Sequence, residues 1–281
     1  MNSKKSQSSN GQNKYFLETS VQFIRLFGSN REKEIINQHI GAAVCYSSYF
    51  VLREFHSLVT ITLIEYYYFL ALYPSVGEAT KEFLNEYSFK NRKIKSLVFT
   101  LADELSSFKT KEKAKITIEL YIRQVKTRFF EIITYMIDHT QCPVAKLEIP
   151  MGETGLYSYH NNFKCPPICC LERFFKNRKS KLQQIIDIDA QLLKQVDSKK
   201  RDEFKNLLDI YDKFLNNKTI TETDYKKLGD TIIAMETPRT TCLLTYDEIF
   251  KLLCPPIGIN LQILKHPPKT SKNIKFNKIK I

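Results

Sequence analysis

The hydrophobic pattern changes period twice along the chain. From Tyr15 to Leu17 runs a short aromatic and apolar stretch, with Thr19-Ser20 behind it as helix-capping residues. Leu26-Phe27-Gly28-Ser29 closes a short helix, and Arg31–His39 reads as another, stopped by Gly41. Ala42–Tyr46 is the next apolar run. Ser47 or Ser48 then caps a long helix that passes through Glu54 and Leu58 and ends before Pro74. Strand, helix, strand, helix in that order predicts a parallel sheet.

Between about residues 74 and 217 apolar residues recur at three- and four-residue spacing. The pattern predicts helices over Val76–Tyr87, Ile94–Phe108, Lys113–Asp138, Leu171–Val196 and Lys199–Leu215, and no strand. The sheet is expected to resume at Lys218–Thr221. A helix carrying Asp230, a strand Thr241–Leu244, a helix Tyr246–Leu253 and a last strand Ile257–Leu264 complete it. The expected organisation is a polar, disordered segment 1–13, a discontinuous α/β core 14–73 and 218–264, a large all-helical insertion 74–217, and a basic tail 265–281.

Four acids stand on these elements, three of them at boundaries. Glu18 ends the first strand, Glu54 rides the long helix, Asp230 opens its helix, and Asp247 follows the strand Thr241–Leu244. Ligands of open α/β sheets bind outside the carboxyl ends of the strands. Four carboxylates gathered there would suit a hard divalent cation, Mg²⁺ or Mn²⁺. Taken singly, each has a plainer reading: a solvated helix acid for Glu54, a macrodipole partner for Asp230, a helix N-cap for Asp247.

Composition narrows the partners. The chain has 281 residues, 43 Lys+Arg against 30 Asp+Glu, and a net charge of +13, which favours a polyanion. Basic clusters at residues 90–95, 109–115 and 176–181, and the lysine-rich tail, provide phosphate contacts, while abundant Tyr and Phe can stack unpaired bases. Only 8 Gly are present, and neither a P-loop nor a dinucleotide fingerprint occurs. The N-terminus has no apolar core of a signal peptide, the run Leu58–Pro74 reads as a buried helix rather than a membrane span, and seven cysteines suit a reducing cytoplasm. His139, Cys142, His160 and Cys165 offer a second, irregularly spaced set of ligands, for zinc, with buried packing as the alternative for the neighbouring cysteines.

The segments FLETSV, SSYFVLREF and GDTIIAMETPRTTCLLTYDEIF, in this order, resemble the PIN-domain nucleases over about residues 14–60 and 222–264. The resemblance implies a three-layer α/β/α fold and a Mg²⁺- or Mn²⁺-dependent endoribonuclease. Glu18, Glu54, Asp230 and Asp247 would be the metal site and Thr245 its polar neighbour. It also implies an inhibitory or complex-forming protein partner of the toxin–antitoxin kind, and pairing of two copies. The family usually has Asp where this chain has Glu18. The extra methylene moves the carboxylate by about 1.5 Å and adds a rotatable bond. The alternative expectation is therefore a catalytically impaired module that binds RNA or protein.

Overall fold

The computed structural model describes residues 12–87, 92–105, 110–141 and 170–267. The first half runs β1 (Lys14–Leu17), α1 (Thr19–Phe27), α2 (Asn30–Ile40), β2 (Val44–Ser48), α3 (Tyr49–Leu72), α4 (Val76–Tyr87), α5 (Arg92–Leu105), α6 (Lys111–Phe130) and β3 (Tyr135–Ile137). The second half runs α7 (Leu171–Lys176), α8 (Lys179–Ile186), α9 (Ala190–Leu193), α10 (Ser198–Leu215), α11 (Glu222–Lys227), α12 (Gly229–Glu236), β4 (Cys242–Thr245), α13 (Phe250–Leu253), a 3₁₀ turn Pro255–Ile257 and β5 (Asn260–Ile263).

The five strands form one parallel sheet in the order β3-β2-β1-β4-β5; its parallel character is what the alternating pattern at the two ends of the chain predicts. Phe16 of β1 pairs with Tyr46 on one side and Leu243 on the other. The chain leaves β1 toward β2 and leaves β4 toward β5, in opposite lateral directions. The carboxyl ends of β1 and β4 therefore form the topological switch point, where such sheets open a crevice. Phe16, Leu17, Leu243 and Leu244 are fully buried, as central strands of a covered parallel sheet must be.

Local chemistry sets the boundaries. Ser29 begins α2 with a capping box shared with Glu32, and Ser48 begins α3 by accepting the Val51 N–H at 3.2 Å. α3 then buries Phe55, Val59, Leu63, Tyr66 and Leu70 and packs most extensively on α6. Among the described residues it is the one helix long and apolar enough to cross a membrane, judged by length and composition, and half of its most apolar window is buried inside the protein.

Several expected boundaries change. The helix expected over Lys113–Asp138 ends at Phe130, and the region expected to be wholly helical contributes β3, a three-residue strand beside β2. A run as short and apolar as Ile132–Ile137 fits either periodicity, and pairing with β2 decides it; Tyr135 stacks on Tyr46 at 5.0 Å. Leu171–Val196 is three helices, not one. Asn177-Arg178 turn the chain, and Asp189 caps a new helix through the Gln191 N–H at 2.8 Å. Lys218–Thr221 is not a strand, because Asn217 has left-handed backbone (φ 53°) and Thr221 is committed to a capping box with Asp224. Thr19 and Ser20 lie inside α1 rather than capping it, and Glu18 holds the N-cap position. The helix expected at Tyr246 starts only at Phe250, after a turn fixed by Asp247.

Candidate active site

All four predicted acids and Thr245 lie at the β1/β4 switch point. Glu18 follows β1 directly and is 4% exposed. Its Oε2 accepts a short hydrogen bond from Ser20 and another from Thr245 Oγ1 at 3.0 Å. Thr245 in turn accepts the Asp247 N–H at 2.9 Å, and Ser20 accepts the Tyr246 N–H at 3.2 Å. Two hydroxyls thus lock the ends of β1 and β4 together around one carboxylate.

Glu54 lies six residues past the Ser48 cap, and its Oε2 accepts from Thr19 Oγ1 at 2.8 Å. Gly229 packs against it: a Cβ at that position would stand 2.6 Å from Glu54 Oε1. The absence of a side chain lets α12 approach and sets Asp230, the next residue, in the same space. Thr231 then bonds the fully buried Tyr211 of α10 at 2.6 Å, which fixes the first turn of α12.

Asp230 keeps some surface open, yet its carboxyl stands well above the usual range. Burial is the largest cause, and the charges of Glu54, Asp247, Glu18 and Glu203 add to it. Each anion makes the next harder to ionise, and a cation is what relieves such a cluster. Asp247 Oδ1 caps the turn to α13 through the Ile249 N–H at 3.0 Å.

Two residues of this neighbourhood carry no local signal in the sequence. Lys200 of α10 meets Asp247 at 2.8 Å (Oδ1) and 3.2 Å (Oδ2), and Glu203 at 2.9 Å. Burial works against its charge, but the hydrogen bonds and attraction of Asp247 and Glu203 hold its pKa above the ordinary lysine value. Lys200 and Glu203 read along the chain only as an ordinary i,i+3 surface pair. Their link to Asp247 spans 47 positions.

The donor set is all oxygen, which suits a hard divalent cation. Among the described residues, however, no group of three or more His, Cys, Asp or Glu closes on one point as a metal cage. The reason is visible in the contacts: Glu18 is held by Ser20 and Thr245, Glu54 by Thr19, and Asp247 by Lys200. The crowded Asp230 carboxyl is the observation that fits a cation. Of the second expected metal set, His139 is exposed, and Cys142, His160 and Cys165 lie outside the described residues.

Compared with known proteins, the chain matches no family model, no curated protein and no solved structure.

Proposed function

We propose that the protein is a Mg²⁺- or Mn²⁺-dependent endoribonuclease of PIN-like type, with its site at the β1/β4 switch point. The observation that carries this reading is Asp230, set among Glu18, Glu54 and Asp247, with its carboxyl raised by burial and then by their charge. A divalent cation there would supply Lewis acidity toward a phosphodiester and make water a better nucleophile.

Asp230, Glu54 and Asp247 would hold the ion. Glu18, anchored by Ser20 and Thr245, has its position fixed by hydroxyls. A cation held there would lower the cost of ionising Asp230. The net charge of +13 supports RNA as the substrate. So does the basic cluster at residues 176–181. An inhibitory protein partner and a homodimer remain part of this proposal through the family resemblance alone, and a cytoplasmic site of action through the cysteine usage.

The test is Mn²⁺-dependent cleavage of a mixed RNA pool, with Asp230→Asn and Glu54→Gln beside the wild type. Loss of at least 100-fold in both variants is expected, the scale on which removing a charge-stabilising group acts. Cleavage that survives both changes sinks the proposal. A second reading, an impaired RNA-binding module, is favoured by one observation: Glu18 and Asp247 are already bound to internal partners. RNA binding without cleavage, insensitive to both substitutions, would establish it.

A further inference from the structure

A lysine at a site built for a cation is the least expected group in this neighbourhood. Lys200 extends from the first turn of α10, far in sequence from every acid of the site except Glu203, and its ammonium grips both oxygens of Asp247. Its side chain is 21% exposed, and those of Asp247 and Glu203 are 34% and 42% exposed. The ion pair thus stands at the mouth of the site, where water and a substrate can reach it. Asp230 lies within electrostatic reach of both Asp247 and Glu203. Lys200 therefore sets a positive charge directly on one of the acids that crowd Asp230.

We infer that Lys200 is an exchangeable counter-ion of the site: it occupies Asp247 when no metal is bound, and it passes to a substrate phosphate when a divalent cation takes Asp247. The inference rests on the metal site proposed above. A carboxylate shared with a divalent ion attracts an ammonium less, and the ion itself repels it. The lysine stem is flexible, with a compact charge at its end, so it can change partners without moving α10. Glu203, three residues on along the same helix face, keeps the freed ammonium near the mouth rather than releasing it to solvent. A phosphodiester arriving at the cation then offers a negative partner where Lys200 already stands. The structure thus assigns α10 a positioning residue, and couples metal loading to phosphate capture through one side chain.

Two measurements on the full chain test this. Mn²⁺ binding is followed without RNA by loss of the free-ion electron paramagnetic resonance signal, for the wild type, Lys200→Met, Lys200→Arg and Asp230→Asn. Lys200→Met, with its competitor removed, is expected to bind Mn²⁺ about tenfold more tightly, worth about 1.4 kcal/mol. Lys200→Arg, which keeps the charge, should stay near the wild type. In the second measurement a short single-stranded RNA is mixed with protein and Mn²⁺, and stopped-flow anisotropy records binding before turnover. Lys200→Met should bind several-fold more weakly, with the slope of log affinity against log salt reduced by about 0.7, the loss of one phosphate contact.

Tighter metal binding together with the reduced slope upholds the inference. Mn²⁺ binding that depends on Asp230 but is the same in wild type and Lys200→Met overturns it and leaves the metal site standing. An unchanged RNA slope in Lys200→Met also overturns it. Mn²⁺ bound by none of the chains overturns both this inference and the proposed function, whereas binding seen only once Lys200 is removed supports it.

Discussion

At the scale of single residues, the molecule holds two strongly perturbed carboxyl groups on one helix, at opposite ends of α12. Asp230 opens it at the candidate site. Glu236 closes it, is fully buried, and takes the Thr140 N–H on Oε1 at 3.3 Å, while its Oε2 has no hydrogen-bond partner among the described residues. Burial raises the Glu236 carboxyl from 4.5 to about 7, against the pull of Ser48 and of the Thr140 and His139 backbone. A raised acid binds its proton more tightly in the folded state than in the unfolded one. Stability is therefore greatest below pH 4.5 as far as this group is concerned, and it falls as the pH rises to about 7, by about 3 kcal/mol in all. Glu236→Gln should remove this slope, and urea denaturation at pH 5 and pH 8 would check it; a wild-type slope retained in the variant means another group carries it. Three candidate acids were legible in the sequence because they stand at element boundaries marked by cap or turn residues: Glu18 before Thr19-Ser20, Asp230 after Gly229, Asp247 after Thr245; Glu54, inside α3, was singled out by the motifs around it. Lys200 was not legible, since its surroundings, Ser198 to Arg201, are those of any solvated helix start.

At the scale of elements, α12 and α3 meet where Gly229 leaves room for Glu54. Gly229→Ala is expected to fold well. Alanine is favoured over glycine in a helix by about 1 kcal/mol, and the atom in its way is the end of a flexible side chain. The displaced Glu54 carboxylate would lose its bond to Thr19, so Mn²⁺ affinity should fall at least severalfold while the unfolding midpoint holds or rises. Isothermal titration beside thermal denaturation separates the two effects, and unchanged metal affinity would show that Glu54 is not a ligand. The elements themselves were legible where periodicity ran long, as in α3, α6 and α10. They were hidden where length was short or a turn intervened. β3 has three residues and is decided by a neighbour 89 positions away, whose Cys45 N–H meets Thr134. The breaks at Asn177-Arg178 and Asp187–Asp189 interrupt an apolar repeat that itself continues through α7, α8 and α9.

At the scale of the whole molecule, the acidic cluster sits against the stability of the fold. Asp230→Asn replaces a carboxyl whose ionisation burial and four neighbouring carboxylates oppose. The variant should therefore melt a few degrees higher than the wild type in the absence of divalent ions. Mn²⁺ should raise the wild-type melting temperature and leave Asp230→Asn nearly unmoved, because only an ion that binds the folded state stabilises it. Calorimetry with and without Mn²⁺ decides the point, and equal shifts in both proteins would place the ion elsewhere. The same topology has a consequence for biosynthesis. Thr245 bonds Glu18 across 227 positions, and β1 lies between β2 and β4, so the central strand lacks one neighbour until β4 has been made. During translation the first strand, and the helix bearing Glu54, leave the ribosome long before the segment that completes the crevice. A nascent chain thus passes most of its synthesis, surrounded by ribosomal and messenger RNA, with the candidate site unassembled.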